Sequence, residues 1–300
     1  MSEYSDASLV LIPKGVKEGK LYSQKPLDGT GDFTVVRNTD ATYVDKNGII
    51  QTAPPNVARI DHTDGGCGVL LREEQSTNLA LWSEDFTQWT MFSSLVNANA
   101  ITSPDGNITS DKVSANGVNA IHRLASNSIS RTSGVSYTVS IYVKYSDCQY
   151  IFINAGSFCN AQSTFDIQNG TVSDTVLGTA KIQNLNNGYY KCSVTGTATT
   201  TGSIFFFVQL NPTQSLAVDE TFLGSESVYL WGAELKEIEG SYIPTQGTTV
   251  TRLADVVTVT TPAGVTSITE TINGIEQTPI TTIPATYQIP NGNINKIIMK

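Results

Sequence analysis

The sequence predicts an all-β protein, an antiparallel jelly-roll β-sandwich with small β-rich elements at its N- and C-terminal ends. Three observations predict it. Only 15% of the 300 residues are charged, so the chain's polarity comes from Thr, Ser, Asn and Gly, which suit strands and turns better than helices. Asn-Gly pairs at 47–48, 169–170, 187–188 and 273–274 lie beside β-prone runs, a strong short-range signal for hairpins. Residues 137–145, YTVSIYVKY, alternate strictly, with Tyr137, Val139, Ile141, Val143 and Tyr145 on one face.

The elements follow in order. Residues 14–32 carry Gly and Pro and read as loop. Residues 41–52, ATYVDKNGIIQT, form a first hairpin, closed by Pro54 and Pro55, which cannot join a ladder interior. Val69, Leu70 and Leu71 come next. Leu79, Leu81 and Trp82 mark the first buried strand of the sandwich, and 85–89 a short helical turn. Runs at 150–155, 165–172, 189–194, 204–210 and 228–235 continue the series. Many short strands at this spacing argue for a sandwich. Composition shifts after Arg252, and 268–278 read as a compact hairpin. The expected domains are a β-rich anchoring region (1–76), the sandwich (77–253) and a hairpin element for oligomerisation or a tip (254–300). At roughly 45 residues the last cannot bury a good core alone and needs a partner surface.

Composition also excludes. A net charge of −9 disfavours nucleic acid and anionic membranes, because phosphate binding needs basic patches. No stretch approaches the ~20 apolar residues of a membrane helix. The first six residues lack the basic start and apolar run of a secretion signal. The chain is therefore expected to stay in the cytosol or to leave it by another route, such as release in a phage particle. Cys67, Cys148, Cys159 and Cys192 form no CxxC pair and match no zinc spacing. They are expected as free thiols, with Cys148 and Cys159 the pair placed to face each other across a hairpin.

Candidate chemistry is sparse. There is no P-loop, dinucleotide fingerprint or HExxH motif. Of the two histidines, His122 sits in a strand-like run and reads as structural, and His62, near Cys67, lacks metal-ligand spacing. A Ser-His-Asp arrangement is disfavoured by the same shortage. Glu84, Asp85, Asp219, Glu220 and Glu234 are the candidates for a glycosidase pair, or else turn residues, caps or calcium ligands. Glu84 and Glu234 bracket the sandwich, one just after its first strand and one in its last, so they are the candidate ligands of a structural calcium. No other cofactor is expected. Sugar rings stack on exposed aromatic faces, which makes Trp82, Trp89, Trp231 and Tyr142 the candidate ligand residues. Tyr142 lies opposite the apolar face of its strand and is the best candidate for exposure, whereas most other aromatics are expected in the core.

Several segments then carry a resemblance. LVLIPKGVKEGKLYSQKP (9–26), GDFTVVRNTDATYVDKNGIIQT (31–52), NVARIDHTDGGCGVLLREEQSTNLALWSEDFTQW (56–89), NGYYKCSVTGTATTTG (187–202), VYLWGAELKEIEGSYIPTQGTTVTRLADV (228–256) and ITETINGIEQTPITTIPATYQIPNGNINKIIM (268–299) occur in this order. Together they resemble phage fibre and head-spike proteins, of the kind carried by phages of Bacteroides-like hosts. The resemblance covers most of the chain and implies a central jelly roll similar to carbohydrate-binding modules and concanavalin-like sandwiches. It also implies a place on the virion surface, contacts with capsid or tail proteins, and a homotrimer. It brings no catalytic residues, and His62 stands where the family more often has Tyr. The expected function is a non-enzymatic virion structural protein that attaches to host surface glycan. Plain decoration without a ligand and a capsule-degrading depolymerase are the alternatives, the latter weakened by the lack of a long β-helix repeat.

Overall fold

The structure, a computed structural model, describes residues 4–13, 20–26, 32–63, 66–185, 187–214 and 221–300. The protein is almost entirely β. The helices among the described residues are one α-turn, Gly156–Cys159, and one 3-10 turn, Phe86–Gln88, which Asp85 caps by accepting from Thr87 N. No helix is long and apolar enough to cross a membrane. The chain divides into two compact units, Ser76–Thr251 and Met1–Gln75 with Arg252–Lys300.

The central unit holds twelve main strands: β1 (Thr90–Phe92), β2 (Ser94–Ile101), β3 (Ser110–Ala115), β4 (Arg123–Ala125), β5 (Ser136–Tyr145), β6 (Tyr150–Ala155), β7 (Ala161–Asp166), β8 (Thr171–Leu177), β9 (Thr179–Asn184), β10 (Tyr189–Thr197), β11 (Phe207–Asn211) and β12 (Ser227–Lys236). One six-stranded sheet runs β9-β10-β5-β12-β3-β2 and the other β8-β7-β6-β11-β4-β1. The pairings are antiparallel throughout. From β3 to β6 the chain changes sheet at every connection, and again from β10 to β12. The inward faces meet in one core that includes Val139, Ile141 and Val143 of β5, Ile151 and Ile153 of β6, Val194 of β10 and Leu230 and Leu235 of β12. Each such side chain contributes about 1.5–3 kcal/mol by leaving water.

The outer face of the first sheet is covered too. A register shift between Ser140 and Tyr142 on β5 falls opposite Gly232 of β12, which has φ +63°. A Cβ at Gly232 would lie 2.6 Å from the Tyr142 ring, so only glycine permits this bulge. The segment after β12 then folds back and lays Tyr242 and Ile243 over the face. The Tyr142, Trp231 and Tyr242 rings pack with centroids 5.3, 4.4 and 5.8 Å apart. Tyr142 is consequently only 5% exposed, which corrects the expectation that it faces solvent.

In the other unit the two ends of the chain are interleaved. Gly292–Met299 pairs with Ile268–Ile272, with Val69–Arg72 and with Leu9–Leu11, and Val256–Thr260 lies between Thr34–Val36 and Thr286–Gln288. One core joins Leu9, Leu11, Ile60 and Leu70 to Val257, Ile294 and Ile297. The division into separate pieces 1–76 and 254–300 is corrected accordingly: each supplies the surface that the other lacks. Charges tie the same segments. Asp255 accepts from Arg37 Nη1 at 2.8 Å and from Arg59 Nη2, and Glu73 accepts from Arg59 Nη1 at 2.7 Å. Arg252 Nη1 lies 3.5 Å from Glu73, and burial, partly offset by Glu73, lowers the Arg252 pKa.

Candidate functional site

The central unit carries an open cleft of about 630 Å³, lined among others by Trp82, Glu84, Asp85, Asn99, Asp111 and Gln246. Three stretches distant in sequence build it: the segment before the 3-10 turn, strands β2 and β3, and residues 244–250. Trp82 is half-buried and forms an isolated antiparallel bridge with Gln246. Its ring lies against Gly247 (φ +80°), where a Cβ would come within 2.8 Å of the indole. Its carbonyl accepts from Trp89 Nε1 at 3.0 Å. Gly247 thus backs one part of the indole, and the Trp89 bond fixes the Trp82 backbone.

Two carboxyl groups in the lining are perturbed in the same direction. Burial raises the pKa of Glu84, and the nearby negative charge of Asp105 adds to this, against the opposing hydrogen bond from Tyr242. The Tyr242 hydroxyl donates to Glu84 Oε1 at 2.7 Å and lies 2.8 Å from Ser83 Oγ. Burial likewise raises Asp111, whose two oxygens accept from Asn99 N and Phe86 N, each at 2.9 Å. For Glu84 the sign is set by the raised folded-state value. Its stability contribution is complete below the unfolded value of 4.5 and is lost as pH rises through the folded value. Glu84→Gln keeps an acceptor for Tyr242 and removes the buried charge. It is expected to raise the Tm at pH 7 and to leave it unchanged near pH 4, read by calorimetry at both.

Of the residues singled out from sequence, the cleft gathers Trp82, Glu84 and Asp85. Trp89 and Trp231 are 4% and 0% exposed, which corrects their reading as sugar platforms. Trp89 packs on Phe86 and Phe206 in the core, and Trp231 donates to Thr109 Oγ1 at 3.0 Å behind the cleft wall. Glu234 is fully buried and serves as an ion-pair hub. Its oxygens meet Lys236 Nζ at 2.8 Å, Lys191 Nζ at 3.3 Å, Ser140 Oγ at 3.3 Å and Ile243 N at 2.9 Å. Its lone pairs are thus engaged by these four donors, and no group of three or more His, Cys, Asp or Glu suited to a metal occurs among the described residues. Asp219 and Glu220 lie outside the described residues.

His122 is buried with its ring nitrogens against the Ser93 and Phe222 carbonyls, a structural role. His62 Nδ1 lies 3.3 Å from the Gly66 carbonyl. The four cysteines are free, and burial pushes the Cys148 and Cys159 thiols up to about 12, far from nucleophilic. Sequence reasoning missed Asp111, Asn99 and Tyr242, whose local contexts carry no signal. No protein-family model matches the chain, and comparison with the curated proteins finds no relative.

Proposed function

We propose that the protein is a bacteriophage virion structural protein, a head or tail fibre, spike or decoration protein, whose central unit attaches to host surface glycan through the cleft beside Trp82. The sandwich is read as a jelly roll. The inner strand orders β10-β5-β12-β3 and β7-β6-β11-β4, with the chain passing repeatedly between sheets, support that topology. The observation that carries the binding role is the half-buried Trp82 indole, fixed over a groove whose polar lining is carboxylate, amide and hydroxyl. Such a surface suits a ring with an apolar C–H face and hydroxyl edges. Virion placement and trimer formation rest on the sequence resemblance. Many copies on one particle would turn weak single-site binding into avidity.

Immunogold labelling of purified particles tests the placement, and an unlabelled virion would remove it. A glycan array probed with the full-length protein tests the binding. Trp82→Ala is expected to weaken binding at least tenfold, as loss of a central aromatic anchor does; because the ring also packs against the core, the variant is assayed well below its lowered Tm, where it is folded. The raised Glu84 carboxyl, which shares the cleft lining with Asp111, favours a second reading, a depolymerase with Glu84 as general acid. Release of reducing ends from capsular polysaccharide, lost in Glu84→Gln, would select it.

A further inference from the structure

We infer that the cleft takes sugar residues that are uncharged or carry a free amine, and rejects those that carry a carboxylate, sulfate or phosphate. This rests on the reading of the cleft as a glycan site and specifies its ligand class. The described lining contains three carboxyl side chains, Glu84, Asp85 and Asp111, and no lysine, arginine or histidine. Asp105 adds a fourth negative charge close enough to act on Glu84. The whole chain is net −9, so no distant positive excess cancels this local field. A concave, partly desolvated groove concentrates such a field.

The hydrogen-bonding capacity points the same way. Carboxylates only accept, so the ligand must present donors to them. Sugar hydroxyls do so, and an ammonium does so with opposite charge. Asp111 is buried, its two oxygens held by the Asn99 and Phe86 amides, so it acts on a ligand through its charge, while Glu84 and Asp85, only partly buried, are the carboxylates a ligand reaches. Asn99 and Gln246 supply amide donors for the sugar's own oxygens. An anionic group in the same place would face accepting oxygens of its own sign, with only amide and hydroxyl donors as compensation.

The test uses the full-length protein and an array in which each oligosaccharide backbone is present in N-acetylated, free-amine and C6-carboxylated forms. Neutral forms are expected to bind at least tenfold more tightly than their carboxylated counterparts, and amine forms at least as tightly as neutral ones. Raising the salt concentration should narrow both gaps, since screening weakens the field. Glu84→Gln combined with Asp85→Asn should bring the carboxylated forms within a few-fold of the neutral ones. Equal or tighter binding of carboxylated forms, abolished by Trp82→Ala, would overturn the inference and leave the glycan site standing. Failure of every backbone to bind would remove both.

Discussion

Glu234→Ala is expected to destabilise the central unit by about 3–5 kcal/mol, the cost of leaving buried charge without its partner. Lys236 and Lys191 both converge on this carboxylate beneath the folded-back segment, and their side chains are only 1% and 9% exposed. Burial alone would depress the Lys191 pKa, yet Tyr142 and Glu234 hold it above its ordinary value. Without Glu234 the ammonium groups lose their direct carboxylate partner and keep the Gly240 and Ser241 carbonyls. Ile243 N also loses its acceptor, so the strap over Tyr142 and Trp231 should loosen. Denaturant unfolding with an unchanged m-value measures the loss. Replacing Glu234, Lys191 and Lys236 together by methionine should recover most of it, because an apolar trio carries no desolvation cost. A Glu234→Ala protein as stable as the parent would show that the hub does not hold the strap.

Asp255→Ala is expected to cost a similar amount, about 3–5 kcal/mol, in the other unit. Arg37 would lose its carboxylate partner, and Arg59 and Arg252 would keep Glu73. The Glu73 amide would also lose its acceptor on Asp255 Oδ2. Arg252 is already disfavoured by burial, so added like-charge repulsion falls on a strained group. Calorimetry should show the transition of the interleaved unit moving down while that of the sandwich stays in place. If both move together, the two units do not unfold independently.

Much of the architecture was legible in the sequence because its signals are local. Asn47-Gly48, Asn169-Gly170 and Asn273-Gly274 each sit at the turn of a hairpin, with the glycines at positive φ. The alternation at 137–145 places Val139, Ile141 and Val143 in the core. Alternation reports which face a side chain takes, however, and not what covers that face. Tyr142 was misjudged because Tyr242, a hundred residues later, packs on it. Glu234 was misjudged because Lys191 reaches it only through strand pairing, although Lys236, two residues on along the same strand, lay in plain view. The cleft was half visible: Trp82, Glu84 and Asp85 fall within one four-residue stretch, whereas Asp111 and Gln246 arrive by topology. The union of the two ends was not visible, since no short-range pattern couples Leu9 to Met299.

That union has a consequence for biogenesis. Gly292–Met299 occupies the middle of a sheet that also contains Leu9–Leu11 and Val69–Arg72. A ribosome makes Leu9–Leu11 and Val69–Arg72 long before Gly292–Met299. At ~5–20 residues per second the N-terminal strands wait for tens of seconds without their neighbour, while all of the sandwich, Ser76–Thr251, has already emerged. The sandwich can therefore mature during translation, but the unit built from both segments can assemble only after residues 292–299 have been made. Premature termination before residue 292 would leave a folded sandwich trailing an open, apolar sheet edge, the kind of species that chaperones and proteases are placed to remove.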